Sequence, residues 1–199
     1  MKNKKEIYIS VDIESDGPIP GPYSLNSLGA FAAGSRDQEG NIERYSLDDE
    51  SKKFYAELKP ISDKFIPEAA AVAGLDRDKL ILEGEDPSVA MTRFATWLEQ
   101  IKKDNNANGV IFTAFPLGFD WMFTYWYLIQ YSEIGSPFGH SRHVDIKTEF
   151  ASKSGELILH ASKYNMPKSL KPKLPHTHNA LDDAVEQGVL FLNILEWNK

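Results

Sequence analysis

Five residues of this 199-residue chain have the types and the order needed to break a phosphodiester bond. Asp12 and Glu14 stand two apart in IYISVDIESDG, and Asp120 follows in VIFTAFPLGFDWMF. His178 and Asp183 stand five apart in HTHNALDDA. Carboxylates brought together without a counter-charge repel, and each raises the others' pKa values. Such a cluster makes sense if it holds hard cations, and oxygen-only ligation suits Mg²⁺ or Mn²⁺ rather than zinc. Two ions roughly 3.5–4 Å apart can stabilise both the attacking and the leaving oxygen of an in-line displacement at phosphorus. A histidine, with an unperturbed pKa near ~6.5, can take the proton from the attacking water at neutral pH.

Each residue taken alone also has an ordinary role. Asp-x-Glu is a common pair, Asp120 could be a helix N-terminal carboxylate facing the macrodipole, and His178 a surface or capping histidine. Position strengthens the group. Asp12 and Glu14 project from one face of a strand where it leaves an apolar run. Asp120 follows another apolar strand that could lie beside the first. On one continuous helix His178 and Asp183 would be rotated by roughly 140°. A shared site therefore needs His178 just outside a helix capped by Asn179 or Thr177, with Asp183 in its first turns.

The elements that must hold these residues follow from periodicity. Residues 6–13 read as a strand, with Ile7, Ile9, Val11 and Ile13 alternating against Tyr8, Ser10 and Asp12. SDGPIPGPYS is a break, and Asp16 makes its turn with Gly17. SLGAFAAG, IERYSL and FYAELKPI supply two or three further short strands. IPEAAAVAG suggests a short helix between Pro67 and Gly74. A helix is expected over 86–102, with Asp86 as N-cap and an apolar stripe of Phe94, Trp97, Leu98 and Ile101. GVIFTA is a buried strand. An aromatic helix follows from about Asp120 to Tyr131 with almost no polar face, RHVDI is a short edge strand, and 147–165 reads as helix. SLKPKLP is a loop, and NALDDAVEQGVLFLNILEWN is the last amphipathic helix. The fold class is α/β: a mixed sheet covered by helices on both faces, in a single domain over 1–199.

Composition narrows the function. Cysteine is absent, which removes disulfides, thiolate nucleophiles and Cys-ligated zinc. The N-terminus lacks a signal-type apolar region, and no run is apolar and long enough to span a bilayer, so a cytoplasmic location is expected. The net charge of −7 argues against tight non-specific binding to long duplexes. Positive charge is local, in Lys163, Lys168, Lys171 and Lys173.

With these motifs in place, the chain resembles the DEDDh group of 3′–5′ exonucleases in the ribonuclease H-like superfamily, which includes ribonuclease T, oligoribonuclease and the proofreading subunit of bacterial DNA polymerase III. VDIESDG resembles its first motif, GFDWMF its second and HNALDDA its third. FYAELKPISDKFIPEAAAVAGLDRDKL and VDIKTEFA resemble two connecting passages. The resemblance implies a five-stranded sheet of order 3-2-1-4-5. It also implies two divalent cations on Asp12, Glu14, Asp120 and Asp183, with His178 as general base. It further implies release of nucleoside 5′-monophosphates from the 3′ end of single-stranded DNA or RNA, and a homodimer. Alternatives are a phosphodiesterase on short oligoribonucleotides or nucleotide conjugates, and a non-catalytic subunit of a polymerase or RNA-processing assembly. Candidate substrate contacts are Ser15, Phe119, Trp121, Lys171 and Lys173. The chain departs from the group where Ala114 and Phe115 replace a His-Asn pair, and where Ser15-Asp16-Gly17 follows the first motif.

Overall fold

The first strand, β1 (Lys5–Ser15), runs through the centre of the sheet and separates the two cores. A computed structural model describes residues 4–69, 74, 76–174, 177 and 179–198. In β1, Ile7, Ile9, Val11 and Ile13 face one core, while Tyr8 faces the other. β1 pairs antiparallel with β2 (Leu25–Asp37) and parallel with β5 (Gly109–Ala114), and β6 (His143–Asp145) adds a parallel edge to β5.

The expected order 3-2-1-4-5 is kept, with its third position divided, so the sheet has six strands. The 13-residue β2 is long enough to serve two partners. β3 (Ile42–Arg44) pairs at Gly34–Arg36, and β4 (Lys53–Glu57) pairs at Ser27–Phe31.

Over the Ile7/Ile9 face lie α2 (Pro87–Asp104) and α3 (Leu117–Tyr131). The shorter α1 (Arg77–Glu83) precedes them. Asp86 caps α2 by accepting from the Ser88 N–H, and Phe94, Leu98 and Ile101 bury its apolar stripe. Each fully buried side chain of this size contributes about 1.5–3 kcal/mol. α3 begins three residues before Asp120, and it does have an outer face. Phe123, Thr124, Tyr127 and Leu128 are buried, Trp121, Met122 and Trp126 are half-buried against the same core, and Ile129 and Gln130 are exposed.

The opposite face is covered by α4 (Ile146–Ser154) and α5 (Ala180–Glu196). The helix expected over 147–165 stops at Ser154. Gly155 adopts φ 74°, a left-handed conformation that suits glycine, and its N–H returns to the Ala151 carbonyl. Only one 3₁₀ turn follows, at Lys163–Asn165. The short helix expected in IPEAAAVAG falls partly outside the described residues; residues 67–69 are helical. Asp145 serves two helices, accepting from the Leu117 N–H at the start of α3 and from the Thr148 N–H in α4.

Candidate active site

Two close approaches bring the third-motif helix down onto the sheet beside Asp12. Gly29 lies opposite Asp12 in the β1–β2 ladder. A Cβ built on Gly29 would sit 2.2 Å from the backbone of Ala180, the first residue of α5. One step further in, a Cβ on Gly188 would come within 3.0 Å of the Ser10 Cβ. Only residues without side chains there allow α5 to lie this low on β1. Asn179 caps the helix as expected, accepting from the Leu181 and Asp182 N–H groups at 3.0 and 3.3 Å.

The result is a meeting of carboxylates from three elements. One oxygen each from Asp12, Glu14 and Asp183 lie within 4.8 Å of one another. Asp120 joins from the first turn of α3, where it accepts from the backbone N–H of Ile13, between Asp12 and Glu14, at 3.1 Å. Asp183 and Asp120 are 3% and 4% exposed. The structure also separates Asp183 from its neighbour Asp182, which is exposed and accepts from the Thr177 hydroxyl at 2.9 Å. The Thr177 N–H reaches Asp183 at 3.3 Å. His178 lies outside the described residues.

The other expected contacts are scattered. Ser15 is buried and its hydroxyl donates to the Gly17 carbonyl at 2.8 Å. Phe119 is 40% exposed at the start of α3, 5.1 Å from the Phe123 ring. Trp121 is half-buried, edge-on to the core ring of Phe112 and stacked with Tyr125. Lys171 donates to the Tyr164 carbonyl at 2.9 Å, and Lys173 is exposed.

No family model matches the chain. A curated relative, the 3′–5′ DNA exonuclease Cap18 of Escherichia coli, is 38% identical over 192 residues, covering 96% of this chain and 92% of its own. The chain belongs to the 3′–5′ exonuclease family.

Solved structures share the fold. Cell-death related nuclease 4 superposes with a TM-score of 0.60 at 14% identity over 96% of this chain. E. coli exonuclease I, in complex with a dT13 oligonucleotide, superposes with a TM-score of 0.58 at 14% identity over the same share. This exonuclease spans 62% and 40% of those two chains. The α/β fold expected from the sequence is shared with these neighbours, and membership of the family makes the chain an enzyme rather than a non-catalytic subunit.

The electrostatics of the exonuclease's cluster favour a cation. Burial, then the nearby charges of Asp120, Glu14 and Asp183, push the Asp12 carboxyl well above the usual carboxylate range. Burial and Asp183 push Glu14 up to about 7. Burial pushes Asp120 up to about 8, although the Ile13 N–H it accepts from pulls the other way. Carboxylate oxygens at mutual repulsion, two of them half-buried and two buried, are a donor set that a hard divalent ion relieves.

A pH dependence follows. Folded-state pKa values raised above the unfolded ones mean stability that is present below about pH 4 and is lost as pH rises through about 7–8. In EDTA the melting temperature should therefore fall across that window. Mn²⁺ at ~100-fold above its Kd should restore about 2.7 kcal/mol, or about 5–10 °C for a chain of this size. That gain should grow with pH as protons stop competing. A melting curve that Mn²⁺ leaves unmoved at about pH 8 contradicts the cation site.

Two contributors were not read from the sequence. Asp16 does more than turn with Gly17: it is fully buried, accepts from the Ser24 N–H at 2.6 Å and pairs with Arg77, which also donates to the Ser62 carbonyl. Gln187, 1% exposed, lies one helical turn after Asp183. Its amide nitrogen donates to the Val11 carbonyl at 2.8 Å and to Asp12 at 3.4 Å, and its oxygen accepts from the Phe115 N–H at 2.8 Å. One side chain thus ties together β1, α5 and the turn into α3, the elements that bear all four carboxylates. It meets the backbone at Phe115, where the sequence departs from the group it resembles. The spacing of four from Asp183, in an otherwise apolar stripe, was the available signal. Gln187→Leu should remove these three hydrogen bonds, lower stability by about 1–3 kcal/mol, and weaken Mn²⁺ binding in calorimetry. Unchanged stability and Mn²⁺ affinity would show that the tie is dispensable.

Proposed function

We propose that residues 1–199 form one exonuclease domain that removes nucleoside 5′-monophosphates from the 3′ end of single-stranded DNA. Asp12, Glu14, Asp120 and Asp183 would hold two divalent cations, Mg²⁺ or Mn²⁺. The observation that carries this reading is the convergence of the four carboxylates from β1, α3 and α5, three of them within 4.8 Å of one another. Bound cations would supply positive charge to the attacking and leaving oxygens of the scissile phosphate. The protein's own part is to hold the carboxylates in register, through the Ile13 N–H and Gln187, and to accept a proton from the attacking water at His178.

The preference for DNA rests on the E. coli relative, which is a DNA exonuclease. The fold does not choose, because the neighbours include both exonuclease I with a DNA oligonucleotide and a 3′-exonuclease recognising a histone mRNA stem-loop. Matched 5′-labelled DNA and RNA strands, incubated with Mn²⁺ or EDTA, test it. A ladder shortening from the 3′ end, faster on DNA and abolished by EDTA, is expected. Equal cleavage of both sugars overturns the preference, and preferential cleavage of dinucleotides favours the short-substrate alternative.

Among the described residues no helix is long and apolar enough to cross a membrane, and a cytoplasmic location is part of the proposal. So is the homodimer. The core absorbs most of α3, but Ile129 and Ile134, 58% and 56% exposed, leave an apolar surface for a second copy. Light scattering returning 22.4 kDa at micromolar concentration would refute it.

A further inference from the structure

Residues 157–181 contain no acidic side chain, in a chain of net charge −7. They carry Lys163, Lys168, Lys171 and Lys173. The described part of this stretch is anchored. Ala161, Met166 and Leu170 are buried in the core beneath α5. Asn193 of α5 donates to the Leu170 carbonyl at 2.8 Å, and Asn165 donates to the His160 carbonyl at 2.9 Å.

Two adjacent residues of this anchored loop have different surroundings. Lys163 pairs with Glu186 of α5, and its ammonium lies 5.8 Å from the Phe115 ring centroid. The Phe115 N–H is bonded to Gln187, which also reaches Asp12. Lys163 therefore borders the carboxylate cluster, and its charge opposes the upward shift of both Asp12 and Asp120. Tyr164, by contrast, is 88% exposed. The Lys171 ammonium stands 5.8 Å from its ring centroid and donates to its carbonyl. Burial does not explain an aromatic ring held in water on an anchored backbone, with lysines around it.

We propose that Tyr164 and the lysines at 163, 168, 171 and 173 form a track for the single strand leading into the active site, a base stacking on the Tyr164 ring while the lysines meet its phosphates. The proposal rests on the exonuclease reading and extends it to the part of the substrate away from the scissile bond. Sequence-tolerant stacking on an aromatic platform flanked by positive charge is how single strands are held without base readout. It also reconciles an acidic protein with a polyanionic substrate, because four lysines fall in a segment of the chain that has no acidic side chain.

The test compares the full chain and its variants, with Mn²⁺, on two substrates. One is a 5′-labelled oligothymidylate; the other is the p-nitrophenyl ester of thymidine 5′-monophosphate, which has no strand to lay on the loop. Base stacking is worth about 1–3 kcal/mol, so Tyr164→Ala should raise KM for the strand about 5- to 150-fold. The kcat, and cleavage of the ester, should stay within twofold, and Tyr164→Trp should keep the wild-type KM. Lys171→Ala with Lys173→Ala should flatten the salt dependence of strand binding, by a slope of about 0.7 for each phosphate that a lysine no longer neutralises. A strand KM within twofold of wild type in Tyr164→Ala would overturn the track. Wild-type protein that cuts neither substrate would instead overturn the active-site reading. Fluorescence anisotropy with a labelled oligothymidylate then still decides the track, since equal affinity of wild type and Tyr164→Ala refutes it.

Discussion

Asp12→Ala is expected to bring turnover at least about 10³-fold down, because charge stabilisation by bound cations is worth several kcal/mol and each ~1.36 kcal/mol is tenfold in rate. Asp12 offers an oxygen within 4.8 Å of those of Glu14 and Asp183, so a cation held by those two is within its reach. The same substitution should not unfold the metal-free protein. Its carboxyl is already held above the usual range by burial and by three like charges. Removing one of those charges relieves repulsion on Glu14 and Asp120 near neutral pH, where crowding destabilises the folded state. The melting temperature in EDTA should therefore be equal to or above that of wild type at about pH 8, and the Mn²⁺-induced rise should shrink. Activity within severalfold of wild type would remove Asp12 from the site. Lost activity with a collapsed melting temperature would mean that the residue supports the fold instead.

The carboxylates were legible in the sequence because their chemistry is carried by residue type and by period-two and helix-start positions. β1 declared itself through Ile7, Ile9, Val11 and Ile13, and α2 through Asp86 and its stripe. What the sequence left open depended on long-range packing. The end of α4 at Ser154 rests on one glycine at φ 74°, which a helical pattern running past residue 155 hid. The division of the sheet's third position depends on how much of β2 each partner occupies, a matter of register. The role of Gln187 depends on α5 lying low on β1, with Gly29 and Gly188 beneath it. Trp121 likewise shows its packing only in three dimensions: half-buried beside Asp120, it lays one edge of its ring against Phe112 of the core.

His178→Ala should reduce kcat by about 10²–10⁴-fold, the usual contribution of a general base, while leaving Mn²⁺ affinity within a few-fold. The reasoning is a division of labour. The oxygens that suit a hard cation come from Asp12, Glu14, Asp120 and Asp183, and the proposed mechanism gives the proton to the imidazole. Its sequence neighbours fit that role: Thr177 bonds to both Asp182 and Asp183, and Asn179 caps α5. The pH profile separates the two roles. A base with a pKa near ~6.5 gives wild-type kcat a limb that rises through that value. His178→Ala should lose this limb. Calorimetry showing Mn²⁺ affinity lost in His178→Ala would make the histidine a ligand. A wild-type pH profile preserved in the variant would move the base elsewhere.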